Sequence, residues 1–446
     1  MKNKLIRLGA LLIAMLMLMA VVGCSGNGNT TTVSMVAGGG EADGDTPEQI
    51  AVQEKIKTLG EDITVLTAGA VDTIGCQMEM QRYEQLTGGK KLTFVSSNGY
   101  SEMQQKLASM HQADEAPDAY QFTNQDYPSL LYKNILSPLD DLMDLNDPVL
   151  ANEKPYIEAM RWDGKCYLVP IIGTERDLWV NKQILVDAGI PESEWPNNQY
   201  KAGTWTWDAF VDIVKRVSDS DNGIYGTVYD TNLHSAWPAS AGVDFVKLTE
   251  TGFVGNAKDP NVTRAMTVYK EIYTNPKYVP INSGDSPKDL FKRGKVCMWY
   301  NDYAKTNDEI LGEQLANGDI FFTAFPRDPQ VDTHYKMGDI HGYSIPTNAK
   351  HKNGGVAYIL CRWASDYYQD QVDAINMDNY NWTEELYTYI QEDLLQRPAV
   401  ICFSLGFKEL QKTISDAVFT SIFEEDWSTI ANTFDPEAQR IIDTQQ

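Results

Sequence analysis

Hydrophobic positions in the first half of the chain alternate between short apolar runs and helical stripes. Residues 63–66 form an apolar run typical of a short strand, and residues 76–83 carry apolar side chains at helical spacing. The same two signals repeat at residues 92–95 and 103–110. This βαβα order predicts a parallel sheet covered by helices, and therefore an α/β fold.

Later segments show the same signals with wider spacing. Apolar stripes predict helices over 262–273 and 356–363, and Ser286 before a proline predicts the start of a short helix. Residues 296–300 form another apolar, strand-like run. We interpret the helical stripes as packing surfaces that face a core.

The amino-terminal pattern differs from the rest of the chain. Residues 1–7 carry three positive charges, residues 8–22 form an apolar run too short to span a bilayer, and Cys24 follows small or branched residues. This pattern is typical of a bacterial lipoprotein signal. We expect a signal peptide at 1–23 and acyl chains on Cys24, which would anchor the protein at the extracellular face of the cytoplasmic membrane. The alternative is an ordinary signal peptide in which the cysteine is incidental.

A polar, glycine-rich segment follows the predicted anchor. Its composition cannot bury enough apolar surface to offset the entropy of ordering, so we expect a flexible tether over 24–59. The rest of the 446-residue chain is longer than one hydrophobic core usually organises, which predicts two lobes.

The net charge and the spacing of cysteines and histidines limit the ligands and metals that the protein is expected to bind. A net charge of −25 argues against nucleic acid or an anionic membrane surface as a partner, and is compatible with a neutral or cationic ligand. A local basic pocket could still hold an anion. The cysteines beyond Cys24 form no CxxC pair and the histidines have no paired spacing, so we expect buried thiols, no metal site and no cofactor.

A series of short motifs, in order, is similar to the extracellular solute-binding proteins of sugar ABC importers. The motifs are WDGKCYLVP at 162–170, LWVNK at 178–182, AGIP at 188–191, TWTWDAF at 204–210, FKRGKVCM at 291–298, FP at 325–326, MGDIHG at 337–342 and IP at 345–346. Trp179 and Cys297 depart from the usual residues of the family, and no family pattern is recognised beyond Asp366.

The resemblance implies a periplasmic-binding-protein-like fold. In this fold two α/β lobes are joined by a multi-strand hinge and close over a ligand in the cleft between them. We expect the chain to cross between lobes near 167–172, 291–295 and 337–342. The chain order then assigns 60–170 plus 296–337 to lobe 1 and 171–295 plus 342–446 to lobe 2.

Trp237 is the leading candidate for ligand contact. It precedes Pro238 in a segment without a helical or alternating apolar pattern, which we interpret as a loop, and it looks like the family's pocket tryptophan. Sugar rings present flat apolar faces that stack on aromatic side chains. The alternative is a core tryptophan.

Polar residues after strands and beside the hinge are further candidates, because open α/β sheets bind ligands at the carboxyl ends of their strands. Those after strands are Asp72, Asn124, Asp126, Asn301, Asp302 and Tyr303, and those beside crossings are Glu175, Arg176, Asp339 and His341. Helix caps, turns or a solvated ion pair are the alternative roles.

The resemblance implies a binding protein rather than an enzyme. We expect a monomer that captures a carbohydrate, an oligosaccharide by its aromatic content, and delivers it to a membrane-embedded ABC permease. The same two-lobed binder could take a peptide, a polyamine or another cationic solute. A glycoside hydrolase would need two carboxylates about 5–10 Å apart across a cleft, and the adjacent acids of this chain are more typical of solvated surface.

Overall fold

A computed structural model describes residues 45–123, 127–172, 176–230, 233–281, 283–338, 340–365 and 382–444. Outside the described residues lie the predicted signal peptide 1–23 and the predicted sites Cys24, Asn124, Asp126, Glu175 and Asp339.

The described chain alternates strands and helices. The strands are β1 Ile63–Ala68, β2 Leu92–Ser97, β3 Ala119–Thr123, β4 Val169–Ile172, β5 Arg176–Asn181, β6 Tyr225–Thr227, β7 Val246–Thr249, β8 Gly252–Gly255, β9 Val296–Asp302, β10 Ile320–Thr323, β11 Lys336–Gly338, β12 Ile340–Ser344 and β13 Ala399–Ile401. The helices are α1 Pro47–Leu59, α2 Ile74–Leu86, α3 Tyr100–Gln112, α4 Tyr127–Tyr132, α5 Lys154–Ala159, α6 Lys182–Asp187, α7 Pro196–Lys201, α8 Trp207–Val217, α9 Leu233–Ser240, α10 Pro260–Tyr273, α11 Pro287–Lys292, α12 Glu309–Ala316, α13 Lys352–Cys361, α14 Glu384–Tyr389, α15 Lys408–Phe419 and α16 Trp427–Asp443.

The first lobe is built on a five-stranded sheet in the order β2-β1-β3-β12-β4. β1 pairs in parallel with β2 and β3, whereas β12 runs antiparallel to β3 and β4. Val65 and Leu66 are both 0% exposed, as expected where helices cover both faces of a sheet. The predicted βαβα order and the α/β fold class are confirmed.

The second lobe is built on a four-stranded sheet in the order β10-β5-β9-β6. β9 lies between β5, to which it is antiparallel, and β6, to which it is parallel. The assignment of 296–337 to the first lobe is therefore wrong. The crossing predicted at 291–295 is also wrong, because Phe291 packs in the same core as Trp179 and Trp299.

Residues 340–365 belong with the first sheet, so the predicted assignment of 342–365 to the second lobe is wrong. β12 is an inner strand of that sheet, and α13 packs beside α1 in the same core. The carboxyl-terminal segment 382–444 returns to the second lobe. There β13 pairs in parallel with β11, and α16 packs on β8 of the β7–β8 hairpin.

Helix α1 replaces the last part of the predicted tether. Thr46 and Gln49 form a capping box at its start, with Pro47 in the first turn. Val52 and Ile56 lie one turn apart on the helix, and both are 0% exposed. The predicted tether over 24–59 is therefore wrong for residues 47–59.

An aromatic cluster joins the two lobes outside the chain crossings. The ring of Trp162, from the first lobe, stacks on Phe253 of β8 with centroids 5.4 Å apart and an interplanar angle of 27°. Tyr132 at the end of α4 meets both rings edge-on. The lobes therefore share packed apolar surface in this conformation.

Asp244, just before β7, is a buried carboxyl group whose shifted pKa predicts a pH-dependent stability. It is 5% exposed and accepts hydrogen bonds from the backbone N–H and the hydroxyl of Ser404, both at 2.8 Å. Burial raises the pKa of Asp244 to about 6, although these hydrogen bonds lower it. The pKa of an unfolded aspartate is about 3.9, so the folded protein binds this proton more tightly than the unfolded chain does.

We expect the contribution of Asp244 to be fully present below about pH 4 and to be lost as the pH rises through about 6, a change of about 3 kcal/mol. Urea unfolding of the wild type and of Asp244→Asn, at several pH values from about 4 to about 7, measures this change in stability. The wild type should gain stability on acidification relative to the variant. Parallel pH profiles would contradict the expectation.

Among the described residues, no helix is both long enough and apolar enough to cross a bilayer.

Candidate functional site

A cavity of about 160 Å³ lies at the edge of the first sheet where β1 and β3 end. We call it the hinge cavity, and its lining residues are Thr67, Ala68, Gln121, Phe122, Ile171, His341, Gly342 and Tyr343. β12 runs antiparallel to β3, so its first residues meet the last residues of β3. His341 pairs with Thr123 on one side and Ile171 on the other, which brings this predicted residue to the cavity.

Close backbone packing shapes one wall of the hinge cavity. A Cβ atom at Gly342 would lie 2.4 Å from the carbonyl oxygen of Val169 and 2.6 Å from Cε1 of Phe122. Such distances are well inside van der Waals contact, so only glycine fits here. The requirement keeps β12 close to β4 beneath the cavity.

The second sheet presents a polar edge near the chain crossing. Arg176, the first residue of β5, pairs with Asp302, the last residue of β9. Asp230 follows β6, and its Oδ2 atom accepts a hydrogen bond from Asn301 Nδ2 at 2.6 Å. Arg176, Asp230, Asn301 and Asp302 together define what we call the second-sheet edge, and it includes three of the predicted residues.

The chain itself holds the hinge cavity and the second-sheet edge close together. Three residues separate Ile172, at the end of β4, from Arg176 at the start of β5. Four Cα–Cα steps span at most about 15 Å. One residue separates β11 from β12, so a second link between the lobes is shorter still. The polar ends of both sheets therefore lie near each other beside these two links, in the kind of position where α/β sheets bind ligands.

Tyr303 was predicted as a ligand contact, but the structure places it in the core of the second lobe. It is 0% exposed, and its hydroxyl donates to Asp177 Oδ2 at 2.6 Å. Arg397 pairs with the same carboxylate, and the backbone N–H of Phe325 donates to Oδ1 at 3.1 Å. Tyr303 therefore supports the amino end of β5 from within and is not available to a ligand in this conformation.

Trp237 lies in helix α9, so its interpretation as a loop residue is wrong. Its indole is 0% exposed and packs against Phe325, Phe210 and Trp207 with centroid separations of 5.2, 5.6 and 5.7 Å. An aromatic ring enclosed on all sides cannot stack on a sugar. In this conformation Trp237 is a core residue, and the expected platform is absent at this position.

Asp72 lies beyond the carboxyl end of β1, but it does not line the hinge cavity. Its side chain is exposed, and its backbone carbonyl accepts a hydrogen bond from Gln77 at 3.3 Å. The adjacent Thr73 caps α2. Asp72 therefore has the turn role that was the alternative to ligand contact.

Sequence reasoning missed Thr67, Gln121 and Asp230. Thr67 lies near the end of a strand that the apolar pattern does indicate, so the strand-end argument could have included it. Gln121 lies in β3, for which no apolar run was predicted. Asp230 follows a strand of only three residues, which is too short for a recognisable alternation.

A second, larger cavity of about 540 Å³ lies between α1 and residues 148–153 and 362–365. It adjoins neither the hinge cavity nor the second-sheet edge. Within the described ranges, no group of three or more histidine, cysteine, aspartate or glutamate side chains converges as a metal site. The hinge cavity therefore remains the candidate site, because the ends of first-sheet strands line it and the link from β4 to β5 brings the second-sheet edge near it.

The chain matches, over residues 73–364, the model of a family described as bacterial extracellular solute-binding protein. The diacetylchitobiose binding protein DasA from Streptomyces coelicolor is 26% identical over 286 residues, which are 63% of this chain. The match spans 62% of that relative, less than two thirds of its length.

Solved structures share the fold. An extracellular solute-binding protein from Staphylococcus aureus in complex with maltose has a TM-score of 0.64 at 16% identity, covering 86% of this chain and 97% of that chain. An ABC substrate-binding protein from Listeria monocytogenes in complex with cycloalternan has a TM-score of 0.62 at 16% identity, covering 86% of this chain and 99% of that chain.

Proposed function

Since the chain belongs to the family of bacterial extracellular solute-binding proteins, we propose that it captures a carbohydrate and delivers it to a membrane ABC permease. The carbohydrate is an oligosaccharide, held between the hinge cavity and the second-sheet edge. The observation that supports this proposal is the three-residue link between β4 and β5, which brings the polar edges of the two sheets near each other. No bond of the ligand is broken.

The chemistry of the two edges suits hydroxyl groups. Gln121, Thr67 and His341 supply hydrogen-bond donors and acceptors on the first lobe. Arg176, Asn301 and the carboxylates of Asp230 and Asp302 supply charged and amide groups on the second. Sugars are recognised by amides, carboxylates and forked arginine donors that satisfy adjacent hydroxyls.

Similar proteins support a sugar as the ligand. The relative DasA is described as binding diacetylchitobiose, and the two structural neighbours are complexes with maltose and cycloalternan. The proposal also includes a lipid anchor at Cys24, a monomeric protein and a location at the extracellular face of the cytoplasmic membrane. The basic start, apolar run and cysteine of the amino-terminal sequence support the anchor and the location.

Titration calorimetry against maltose, longer maltodextrins, diacetylchitobiose, spermidine and a basic peptide tests the ligand class. We expect binding of at least one sugar and none of the cations. Tight binding of spermidine or the peptide, with no sugar bound, would replace the proposal with the cationic-solute alternative. Chromatography of the sugar after incubation should show it intact, and shorter products would indicate a hydrolase.

Asn301 and Asp230 should act as one unit in binding. Asn301→Ala and Asp230→Ala should each weaken sugar binding about 10- to 100-fold, because each removes a polar partner from a desolvated site. Asn301 Nδ2 and Asp230 Oδ2 are hydrogen-bonded, so the double variant should lose clearly less than the product of the two single losses.

Asp221→Ala is the matched control, since Asp221 lies exposed in a turn on the same lobe. Its affinity should equal that of the wild type. Wild-type affinity in both single variants at the second-sheet edge would place the ligand elsewhere.

A further inference from the structure

Four side chains form a hydrogen-bonded chain from the interior of the first lobe to the wall of the hinge cavity. Tyr358 Oη donates to Glu79 Oε2 at 2.6 Å, and Gln121 Nε2 donates to Tyr358 Oη at 3.1 Å. Thr67 Oγ1 donates to Gln121 Oε1. We call these residues the relay. Its outer members, Gln121 and Thr67, line the cavity, and its inner members, Tyr358 and Glu79, do not.

Packing holds the inner part of the relay in place. Tyr358 is 4% exposed on α13, and its ring meets Tyr343 edge-on at 5.1 Å and Phe94 at 6.4 Å. Glu79 comes from α2, on the same side of the sheet. A ring enclosed in this way keeps its hydroxyl at one position between Glu79 and Gln121. The relay therefore has a fixed path, and only the direction of its hydrogen bonds can change.

The charge on Glu79 decides that direction. A carboxylate only accepts, so the single proton of the Tyr358 hydroxyl is committed to Glu79 and the tyrosine oxygen must accept from the Gln121 amide. Gln121 Oε1 is then turned towards Thr67, whose hydroxyl donates to it. Thr67 Oγ1 thereby offers lone pairs towards the cavity, and the amide of Gln121 has a second N–H to offer.

We propose that Glu79 determines ligand specificity at a distance, by fixing this donor and acceptor pattern on the cavity wall. The inference rests on the proposed function, because it concerns the hydroxyl that the same cavity selects. The selected hydroxyl donates to Thr67 Oγ1 and accepts from Gln121 Nε2. A sugar with that hydroxyl removed or methylated leaves the wall unsatisfied. Glu79 and Tyr358 do not touch the ligand and are positioning residues.

Charged and titratable groups from several elements face Glu79. They are Cys76 and Arg82 on its own helix, Tyr343 on β12, and Tyr358, Cys361 and Arg362 on or next to α13. Burial raises the pKa of Glu79, while the Tyr358 hydroxyl and the two guanidinium groups lower it. A protonated Glu79 can donate to Tyr358, which releases the direction of the whole relay. Specificity should therefore weaken at acidic pH.

Nuclear magnetic resonance of the free protein tests the relay without any ligand. The side-chain amide of Gln121, identified by its loss in Gln121→Leu, should shift as the pH falls from about 8 to about 4.5. In Glu79→Gln the same signal should be independent of pH, and in Tyr358→Phe it should be both displaced and independent of pH. Tyr83→Phe is the matched control, because Tyr83 lies in the same core but donates to the carbonyl oxygen of Glu61. A Gln121 amide in Glu79→Gln that titrates as in the wild type would overturn the relay.

Binding measurements test the effect on specificity. The probes are maltose and diacetylchitobiose, and single-deoxy and O-methyl forms of whichever binds. In the wild type and in Tyr83→Phe, loss of the selected hydroxyl should weaken binding about 10-fold or more, whereas in Glu79→Gln and Tyr358→Phe the penalty should fall to within about 3-fold. An unchanged penalty in both relay variants would refute the inference. If neither sugar binds the wild type, the deoxy and O-methyl forms of a maltodextrin that does bind replace them. If no sugar binds, the proposed function fails, and the magnetic resonance arm still decides the relay.

Discussion

Replacing Arg397 with methionine is expected to lower the free energy of unfolding by about 3–5 kcal/mol, the cost of leaving one partner of a buried ion pair uncompensated. Asp177 is 1% exposed and Arg397 is 7% exposed. The Asp177 carboxylate also accepts from the Tyr303 hydroxyl and the Phe325 N–H, but both donors are neutral. Without the guanidinium the buried Asp177 carboxyl group would lose its charged partner. Urea unfolding at neutral pH measures the loss.

A surface pair provides the control for Arg397. Arg293 Nη2 lies 2.6 Å from Asp285 Oδ2, but the two side chains are 53% and 51% exposed. Arg293→Met should therefore lower the free energy of unfolding by less than about 1 kcal/mol. The double variant Asp177→Asn with Arg397→Met should recover part of the loss, because no charge is then buried alone. A change below about 1 kcal/mol in Arg397→Met would show that water or another cation reaches Asp177.

The Arg397 pair also connects the carboxyl-terminal segment to the hinge. Asp177 is the second residue of β5, and Arg176 before it belongs to the second-sheet edge. Arg397 lies just before β13, which pairs with β11 beside the other crossing. The same ion pair therefore links the start of β5 to the segment before β13, beside two of the chain crossings, and destabilising it should also weaken ligand binding.

The order of elements in the first lobe could be predicted because each element carries a local pattern. β1 and β2 are short apolar runs, α2 and α3 have helical stripes, and consecutive elements of such a unit usually pack side by side. Nothing beyond neighbouring residues was needed for that part of the fold.

The sheet that contains β9 could not be predicted in the same way. The first five residues of β9 are all buried, as in any strand covered on both faces. Such a strand has the same apolar pattern in either lobe. Its neighbour β5 is far upstream in the chain, and the pairing depends on tertiary contacts. The error in the lobe boundaries follows from this one strand.

Helix α1 is a case in which the sequence does carry a signal. Thr46, Pro47 and Gln49 form the start of a capped helix, and Val52 and Ile56 have helical spacing. The polar composition of the preceding residues outweighed this signal in the prediction of a tether. Local capping chemistry was the better guide to residues 47–59.

The candidate site was predictable only as far as the strand ends. The rule that ligands meet the carboxyl ends of strands led to Asn301 and Asp302 at the end of β9, and the hinge position led to Arg176. Tyr303 follows immediately, but a short helical turn directs its side chain into the core. Which of several adjacent polar residues faces solvent is set by tertiary packing and leaves no local pattern.

Trp237→Ala is expected to destabilise the protein by about 3–5 kcal/mol, whether or not a ligand is present. The indole contacts Trp207, Phe210 and Phe325, and no part of it reaches solvent. Truncation would leave a large cavity among rigid aromatic rings that cannot collapse into it. Trp195→Ala is the control, since Trp195 is only partly buried and stacks on Phe321, and it should cost clearly less.

A core role and a platform role for Trp237 differ in what the phenylalanine variant does. Trp237→Phe keeps most of the buried ring, so it should remain folded and bind sugar within about twofold of the wild type. A platform role would instead lower affinity while leaving the unfolding transition of the free protein unchanged, because stacking on a ligand contributes only to the bound state. An affinity loss of about 10-fold or more in a fully stable Trp237→Phe protein would mean that α9 opens this ring to the cleft when ligand enters. Calorimetry and urea unfolding on the same preparation separate the two outcomes.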